Sequence, residues 1–326
     1  MTQYFLGIDI GGTKSHALIA DSSGRALGFS HQGSGNPRIV GSQGFSKVLH
    51  GVVHQALVSA GISKHQLSHI GCGIAGYNWN SEQKSLLTTV QQSLDIPSAS
   101  VAIANDTLIG LLAGTSAEWG VAIVAGTSCN CRGWDQNRRE GRVTGLGFML
   151  GEAAGALELL IKARQAVAFE WSQRGLPTAL TQAFMQVTGA PDIERLIEGW
   201  ATGVYQLRPE MVPIIFQVAN EGDPVAKSLI QWAGQELGSM AIGVIRQLGL
   251  ETLKFDTVLV GSLFRASSLL VQIVDETIHQ AAPNARLIQL SVPPVMGGVL
   301  LAMKQSGIIA SSVRETLLKS TANLLK

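Results

Sequence analysis

A chain of 326 residues and 34.4 kDa has the length for two domains at about 100 to 200 residues each, and each can bury its own core. Lys plus Arg number 24 against 23 for Asp plus Glu, so no net field gathers nucleic acid or an anionic membrane, and neither is expected as a partner. Only 14% of residues are charged, 46% are hydrophobic, and the 37 glycines follow no three-residue period, which excludes a disordered or collagen-like chain.

The first residues carry no basic stretch followed by an apolar one, so no cleaved leader is expected. Cys72, Cys129 and Cys131 form no C-x-x-C pair, and such cysteine usage in a long chain points to a reducing, cytoplasmic compartment. The apolar stretch from Leu287 to Met303 contains Pro293, Pro294, Gly297 and Gly298, which break a membrane span and read instead as strand, turn and helix.

Phe5 to Asp21 and Trp119 to Asp135 match at an offset of 114, placing Gly12 on Gly126, Thr13 on Thr127 and Asp21 on Asp135. Each reads as a β-hairpin: an apolar run, a Gly-Thr turn, a second strand and a closing turn. This grammar points to an internal duplication. After the first hairpin, Phe45, Val48, Leu49, Val52, Val53 and Leu57 share one helical face that stops at Gly61. A strand over 69–75, a helix over 81–94 and a strand over 100–104 follow, ending at Asn105-Asp106. Strands alternating with helices indicate an α/β layered fold.

The second half predicts a hairpin, a helix over about 151–169 and a helical region through Ile230. Asp223-Pro224 suits the start of a long helix whose face carries Leu229, Trp232, Ala233, Leu237, Met240, Val244 and Leu248. A strand over 257–260 comes next, and Ser312 with Glu315 has the spacing of a capping box for a last helix over 313–325. The boundary between domains is expected near 116–118.

Tight turns of the Gly-Gly-Thr and Gly-Thr-Ser type aim successive backbone N–H groups into one concavity that binds phosphate oxygens. Two such turns facing each other would clamp a polyphosphate, with Thr13 and Thr127 adding hydroxyl donors. Asp9, ending the first strand, would hold Mg²⁺ beside the phosphates, directly or through water. Asp106 joins an apolar strand to an apolar helix, where the helix N-terminus is expected to keep its carboxylate ionised.

With these turns, the segments Gly7-Ile8-Asp9-Ile10-Gly11-Gly12-Thr13-Lys14, Asn105-Asp106, Ala125-Gly126-Thr127-Ser128-Cys129-Asn130 and Val260-Gly261-Ser262 resemble the phosphate, catalytic and adenosine motifs of the sugar kinase, actin and heat-shock-chaperone superfamily. Their order, with Asn36-Pro37, is most similar to the N-acetylglucosamine kinase branch grouped with the BadF/BadG/BcrA/BcrD ATPases. The resemblance spans nearly the whole chain. It implies an α/β fold of two ribonuclease-H-like domains with mixed sheets flanked by helices around a cleft. The domains would be 1–116, joined by a returning helix over about 312–326, and 117–311.

It further implies ATP and Mg²⁺ as cofactors and a small-molecule sugar as partner, phosphorylated with Asp106 as general base. Gly11, Gly12, Thr13, Lys14, Gly126, Thr127, Ser128, Gly261 and Ser262 would hold the nucleotide. Asn36, Asp106, Cys129, Asn130, Gly145, Leu146, Gly147 and Glu152 would hold the sugar. Gly151-Glu152-Ala153-Ala154-Gly155 departs from the Gly-Asp-Glu-Gly segment usual in aminosugar kinases, which puts the sugar's identity in question. Two other classes remain open: an ATPase activator of a CoA-ester dehydratase or reductase, and a non-catalytic sugar and nucleotide sensor. The hydrophobic average leaves room for a homodimer interface.

Three patterns read as structural. Gly71-Cys72-Gly73-Ile74-Ala75-Gly76 fits G-x-G-x-x-G, yet Tyr77-Asn78-Trp79-Asn80 intervenes before a helix, so the segment is expected to let backbone approach the cleft. His50 with His54 and His65 with His69 lack the Glu of H-E-x-x-H and read as solvated histidines. Cys129 and Cys131 alternate onto one strand face and read as buried and inert.

Overall fold

Continuous burial along Tyr4–Ile10 (β1) makes it a central strand, paired antiparallel with Ser15–Asp21 (β2) and parallel with Leu67–Ile74 (β4). The computed structural model describes residues 3–97 and 99–325. Ala26–Gln32 (β3) and Ser100–Asn105 (β5) complete a five-stranded mixed sheet of order β3-β2-β1-β4-β5. The second sheet is built from Gly120–Ala125 (β6), Cys129–Trp134 (β7), Glu140–Arg142 (β8), Phe255–Val260 (β9) and Ala285–Gln289 (β10), in the order β10-β9-β6-β7-β8. Adding five to each label of the first sheet yields the second. In both, three antiparallel strands are followed by two parallel ones.

The duplication extends to hydrogen bonds. After β2, the Asp21 carboxylate accepts the N–H groups of Ser23 and Arg25 at 2.9 and 3.1 Å. After β7, Asp135 accepts those of Asn137 and Arg139 at 2.9 and 2.8 Å, at the same offset.

The helices follow their end signals. Asn36 caps Pro37–Ala60 (α1) by accepting the Arg38 N–H, Gly41 bends the helix at φ 70°, and Gly61 closes it at φ 66°. Gln83–Leu94 (α2) lies between β4 and β5, and Asp106–Gly114 (α3) starts directly at the end of β5. Ala156–Trp171 (α4) begins later than the sequence suggests, because Glu152 to Ala154 are held in a loop and Gly155 is the cap. The helical region through Ile230 resolves into Ala179–Thr188 (α5), Ile193–Ala201 (α6), Val212–Asn220 (α7) and the first turns of Pro224–Leu248 (α8). Asp223 caps α8 as expected. Ser262–Ala266 (α9) and Ser268–His279 (α10) connect β9 to β10, and Val295–Gln305 (α11) follows. The capping box at Ser312 is not formed. The last helix, Ala310–Leu324 (α12), begins earlier, Ser312 Oγ donates to the Ile309 carbonyl, and Glu315 pairs with Lys319 instead. This helix packs on β3, where Ser320 Oγ accepts the Ala26 N–H at 2.9 Å.

Three apolar cores result. One lies between the first sheet and α1, built on Leu6, Ile8, Ile19, Phe45 and Leu49. Another fills the helical layer of the second half around Phe184, Leu237 and Ile245. The third joins the sheets: Phe5 and Leu18 from one, Ala122 and Val258 from the other, with Leu108 and Leu111 of α3 and Val295 and Met296 of α11 between them. Glycines make that packing close. A Cβ on Gly297 would meet the Ile109 carbonyl oxygen at 1.8 Å, and one on Gly71 would meet that of Gly298 at 2.1 Å. Gly71 and Gly73 of the G-x-G-x-x-G segment therefore serve helix docking on β4, with Gly73 facing Ile109, whereas Gly76 lies against Asn36 and Arg38. Among the described residues, no helix is long and apolar enough to cross a membrane. The packing predicts that Gly297→Ala loses about 3 kcal/mol of stability, read as a lower urea midpoint; an unchanged midpoint would contradict it.

Candidate active site

Ile10 pairs with Ser15 and Ala125 with Cys129, so each hairpin ends in a Gly-Thr turn at the carboxyl end of a central strand. In the first, the Gly11 N–H donates to the Lys14 carbonyl at 3.0 Å; in the second, one residue shorter, that of Gly126 donates to Ser128 at 3.0 Å. The two turns meet. Thr13 Oγ1 and Thr127 Oγ1 lie 3.5 Å apart, both on exposed residues at the mouth of the cleft. Beneath the second turn, the α4 N-terminus donates from Ala156 N to the Gly126 carbonyl at 2.8 Å. Gly261, at φ 121°, backs onto Ala125, whose carbonyl oxygen a Cβ would meet at 2.1 Å. Ser262 opens α9 at that point.

A cavity of about 210 Å³ runs from these turns into the cleft. Of the residues expected at the site, Gly12, Thr13, Asn36, Asp106, Gly126, Thr127, Ser128, Cys129, Asn130 and Gly145 line it. Asp106 sits at the first position of α3, where Asn105 Oδ1 and the Asp106 carboxylate accept the Thr107 N–H at 2.9 and 3.0 Å. That end does not keep the carboxylate in its ordinary range. Burial, reinforced by the negative charge of Asp9, raises the Asp106 pKa to about 7, against opposing effects of Arg132 and the backbone N–H. Asp106 therefore titrates near neutrality. Asp9 is itself 8% exposed, with His16 Nδ1 3.6 Å from its Oδ2.

Gly11, Lys14, Gly261, Ser262 and Asp9 do not line the cavity. Leu146 and Gly147 also stand outside. Glu152 is 4% exposed, and its carboxylate accepts the N–H groups of Thr144, of Leu146 at 3.0 Å and of Gly147 at 3.3 Å. These bonds make its carboxylate part of the loop that carries Gly145.

Arg38 and Asn78 line the cavity and were not expected there, and Gly76 lines it where the glycine segment reaches the cleft. Arg38 Nε donates to the Gly76 carbonyl at 2.8 Å and its NH2 to Glu82 at 2.6 Å, setting a guanidinium at the wall beside Asn36. Its position directly after the Asn36-Pro37 helix start was the available signal. The three thiols are free and buried; burial pushes the Cys129 pKa up to about 11 and raises Cys72 and Cys131 further. His50 and His54 stack 6.1 Å apart on exposed positions, and His69 stacks on Phe5. Among the described residues, no three His, Cys, Asp or Glu side chains form a metal cluster.

The BadF/BadG/BcrA/BcrD ATPase family matches residues 6–302 of the chain. The N-acetyl-D-glucosamine kinase of Dictyostelium discoideum is 27% identical over 315 residues, covering 92% of this chain and 98% of that one. An N-acetylmuramic acid/N-acetylglucosamine kinase of Clostridium acetobutylicum is 24% identical, covering 93% and 99%. The structure of a ROK family glucokinase from Streptomyces griseus, in complex with glucose and AMPPNP, superposes with a TM-score of 0.63 at 16% identity, covering 92% and 99%. That likeness shows the fold.

The raised Asp106 pKa also carries a stability consequence. The folded state holds the proton up to about pH 7, whereas an unfolded aspartate releases it near 3.9. The group's contribution is thus fully present below pH 4 and lost as pH rises towards 7. Asp106→Asn is expected to raise Tm at pH 8 and to leave it nearly unchanged at pH 3.5, by calorimetry; an Asn variant less stable than wild type at pH 8 would contradict this.

Proposed function

The chain belongs to the BadF/BadG/BcrA/BcrD ATPase family, and we propose that it transfers the γ-phosphoryl group of Mg-ATP to a hydroxyl of an amino sugar, N-acetylglucosamine or glucosamine. The observation that carries this reading is the meeting of Thr13 and Thr127 at 3.5 Å over a cavity that also holds Asp106. The activities of the Dictyostelium and Clostridium relatives, each spanning nearly its whole length with this chain, support an amino sugar as acceptor. The chain would divide into 1–116 with 312–326, and 117–311, and its reduced thiols suit the cytoplasm.

In this reading, backbone N–H groups of the Gly11–Lys14 and Gly126–Ser128 turns hold the phosphates, and the threonine hydroxyls add charge-assisted hydrogen bonds of about 1.5 to 3 kcal/mol each. Gly261 and Ser262 lie on the adenosine side of the second turn. Mg²⁺, when bound, would neutralise charge on the phosphate oxygens, and Asp9, a buried carboxylate near the end of β1 beside the first turn, would hold it directly or through water. Asn36, Asn130 and Gly145 face the sugar. Asp106 accepts the proton of the attacking hydroxyl as that oxygen bonds to the γ-phosphorus and the bond to the bridging oxygen of ADP breaks. Burial brings the base close to neutrality, where proton transfer is efficient.

The test is coupled ADP release over glucosamine, N-acetylglucosamine, N-acetylmannosamine and glucose. An amino sugar is expected to give turnover, and ADP release with none of them would remove the proposal. With the active sugar, Asp106→Asn is expected to lower kcat by about 10²- to 10⁴-fold at unchanged KM for ATP. Because the protonated acid cannot accept a proton, kcat/KM should rise with pH through a midpoint near 7 and then level. A profile flat from pH 5 to 9, or an undiminished Asn variant, would take the base role from Asp106.

A further inference from the structure

Arg132, on β7, is the largest fully buried side chain among the described residues, at 2% exposure. Its NH1 donates to Glu140 Oε1 at 2.6 Å and its NH2 reaches Asn78 Oδ1 at 3.1 Å, on the segment that leaves β4 of the other sheet. Asn78, also 2% exposed, donates from Nδ2 to the Gly145 carbonyl at 3.2 Å. These two partners fix the amide orientation, since the oxygen must face the guanidinium and the nitrogen the carbonyl. The Asn78 N–H donates to Glu82 at 2.8 Å, and Glu82 holds Arg38 at the cavity wall. One polar chain thus links α1, the exit of β4, β7 and the 144–147 loop around the sugar end of the cavity.

The contact is built closely. Gly145 has φ 69°, and a Cβ there would lie 2.7 Å from Asn78 Oδ1. A buried guanidinium costs more than its pairing with one partly exposed glutamate returns, so an apolar residue of similar volume would be cheaper at position 132. Such a group is understandable where its direction is needed: NH1 is anchored on Glu140 of β8, and NH2 points at Asn78 in the cavity wall.

We propose that Asn78 and Arg132 are positioning residues: Arg132 orients the Asn78 amide across the cleft, and Asn78 pins the Gly145 loop in the conformation that receives the acceptor sugar. Naming the sugar rests on the proposed kinase activity; pinning of the loop does not.

The experiment pairs kinetics with hydrogen exchange on the full chain. With N-acetylglucosamine and ATP, Asn78→Ala is expected to raise the sugar KM about 10- to 100-fold, the loss when a buried hydrogen-bond partner is removed, while kcat and the ATP KM change less than about threefold. Arg132→Met should shift the sugar KM in the same direction, and Arg132→Lys, which keeps the charge and a single donor nitrogen, should restore part of it. Should Arg132→Met fail to fold, Asn78→Ala still leaves the Arg132–Glu140 pair intact and decides the matter. Backbone exchange at 145–147 is expected to quicken about tenfold in Asn78→Ala. Unchanged exchange there, or a loss of Tm with the sugar KM unmoved, would overturn the proposal. A wild type that turns over no amino sugar would instead sink the kinase reading, and the exchange rates would still decide whether Asn78 holds the loop.

Discussion

The approach of Thr13 to Thr127 depends on two helices that pack with almost nothing between them. Gly297 of α11 lies against the Ile109 carbonyl of α3, and Gly298 against β4 at Gly71, so the first sheet, the two helices and the second sheet form one apolar unit. Gly110 and Gly114 of α3 in turn face Val260 and Val258 of β9. Close-packed interiors deform little, and such an interface fixes the two hairpin turns relative to each other far better than a surface loop could. A catalytic site assembled from both halves needs that accuracy, because an error of about 1 Å in placing reactants costs about a hundredfold in rate.

The same burial sets the electrostatics. Asp106 leaves β5 and enters α3 inside this unit, with Asp9 as a near neighbour, and its carboxyl is held well above the usual carboxylate range. A backbone N–H at a helix start moderates the shift without cancelling it. Arg132, buried on β7, is the compensating cation, and its hydrogen bonds go outward to Glu140 and Asn78 rather than to either aspartate. The cleft therefore combines a pair of crowded acids with a cation whose direction is taken up by loop geometry. Such arrangements are costly for stability and are found where a protonation state near neutrality has a use.

What was legible in the sequence was local. Gly-Thr between two apolar runs specifies a hairpin, Asn36-Pro37 and Asp223-Pro224 specify helix starts, and Asp106 at a strand-to-helix junction is visible without coordinates. The internal repeat was visible as well, and the structure extends it to the carboxylate caps of Asp21 and Asp135 and to the order of all ten strands. The base role and the adenosine motif came from resemblance, since an aspartate at a helix start reads equally as a cap. Less legible was whatever depends on distant partners. That Glu152 accepts the N–H groups of Leu146 and Gly147 was not visible, and Asn78 lay in a segment whose only visible property was to follow a glycine motif. The capping box at Ser312 failed for a local reason: the helix had already begun at Ala310.

Calorimetric affinity for a non-hydrolysable Mg-ATP analogue, measured on wild type, Thr13→Val, Thr127→Val and the double variant, tests the paired turns most directly. If both hydroxyls hold the nucleotide's phosphates, each single change weakens binding about tenfold or more and the double variant is weaker than either. Affinity unmoved by both substitutions would contradict a nucleotide held between the two turns.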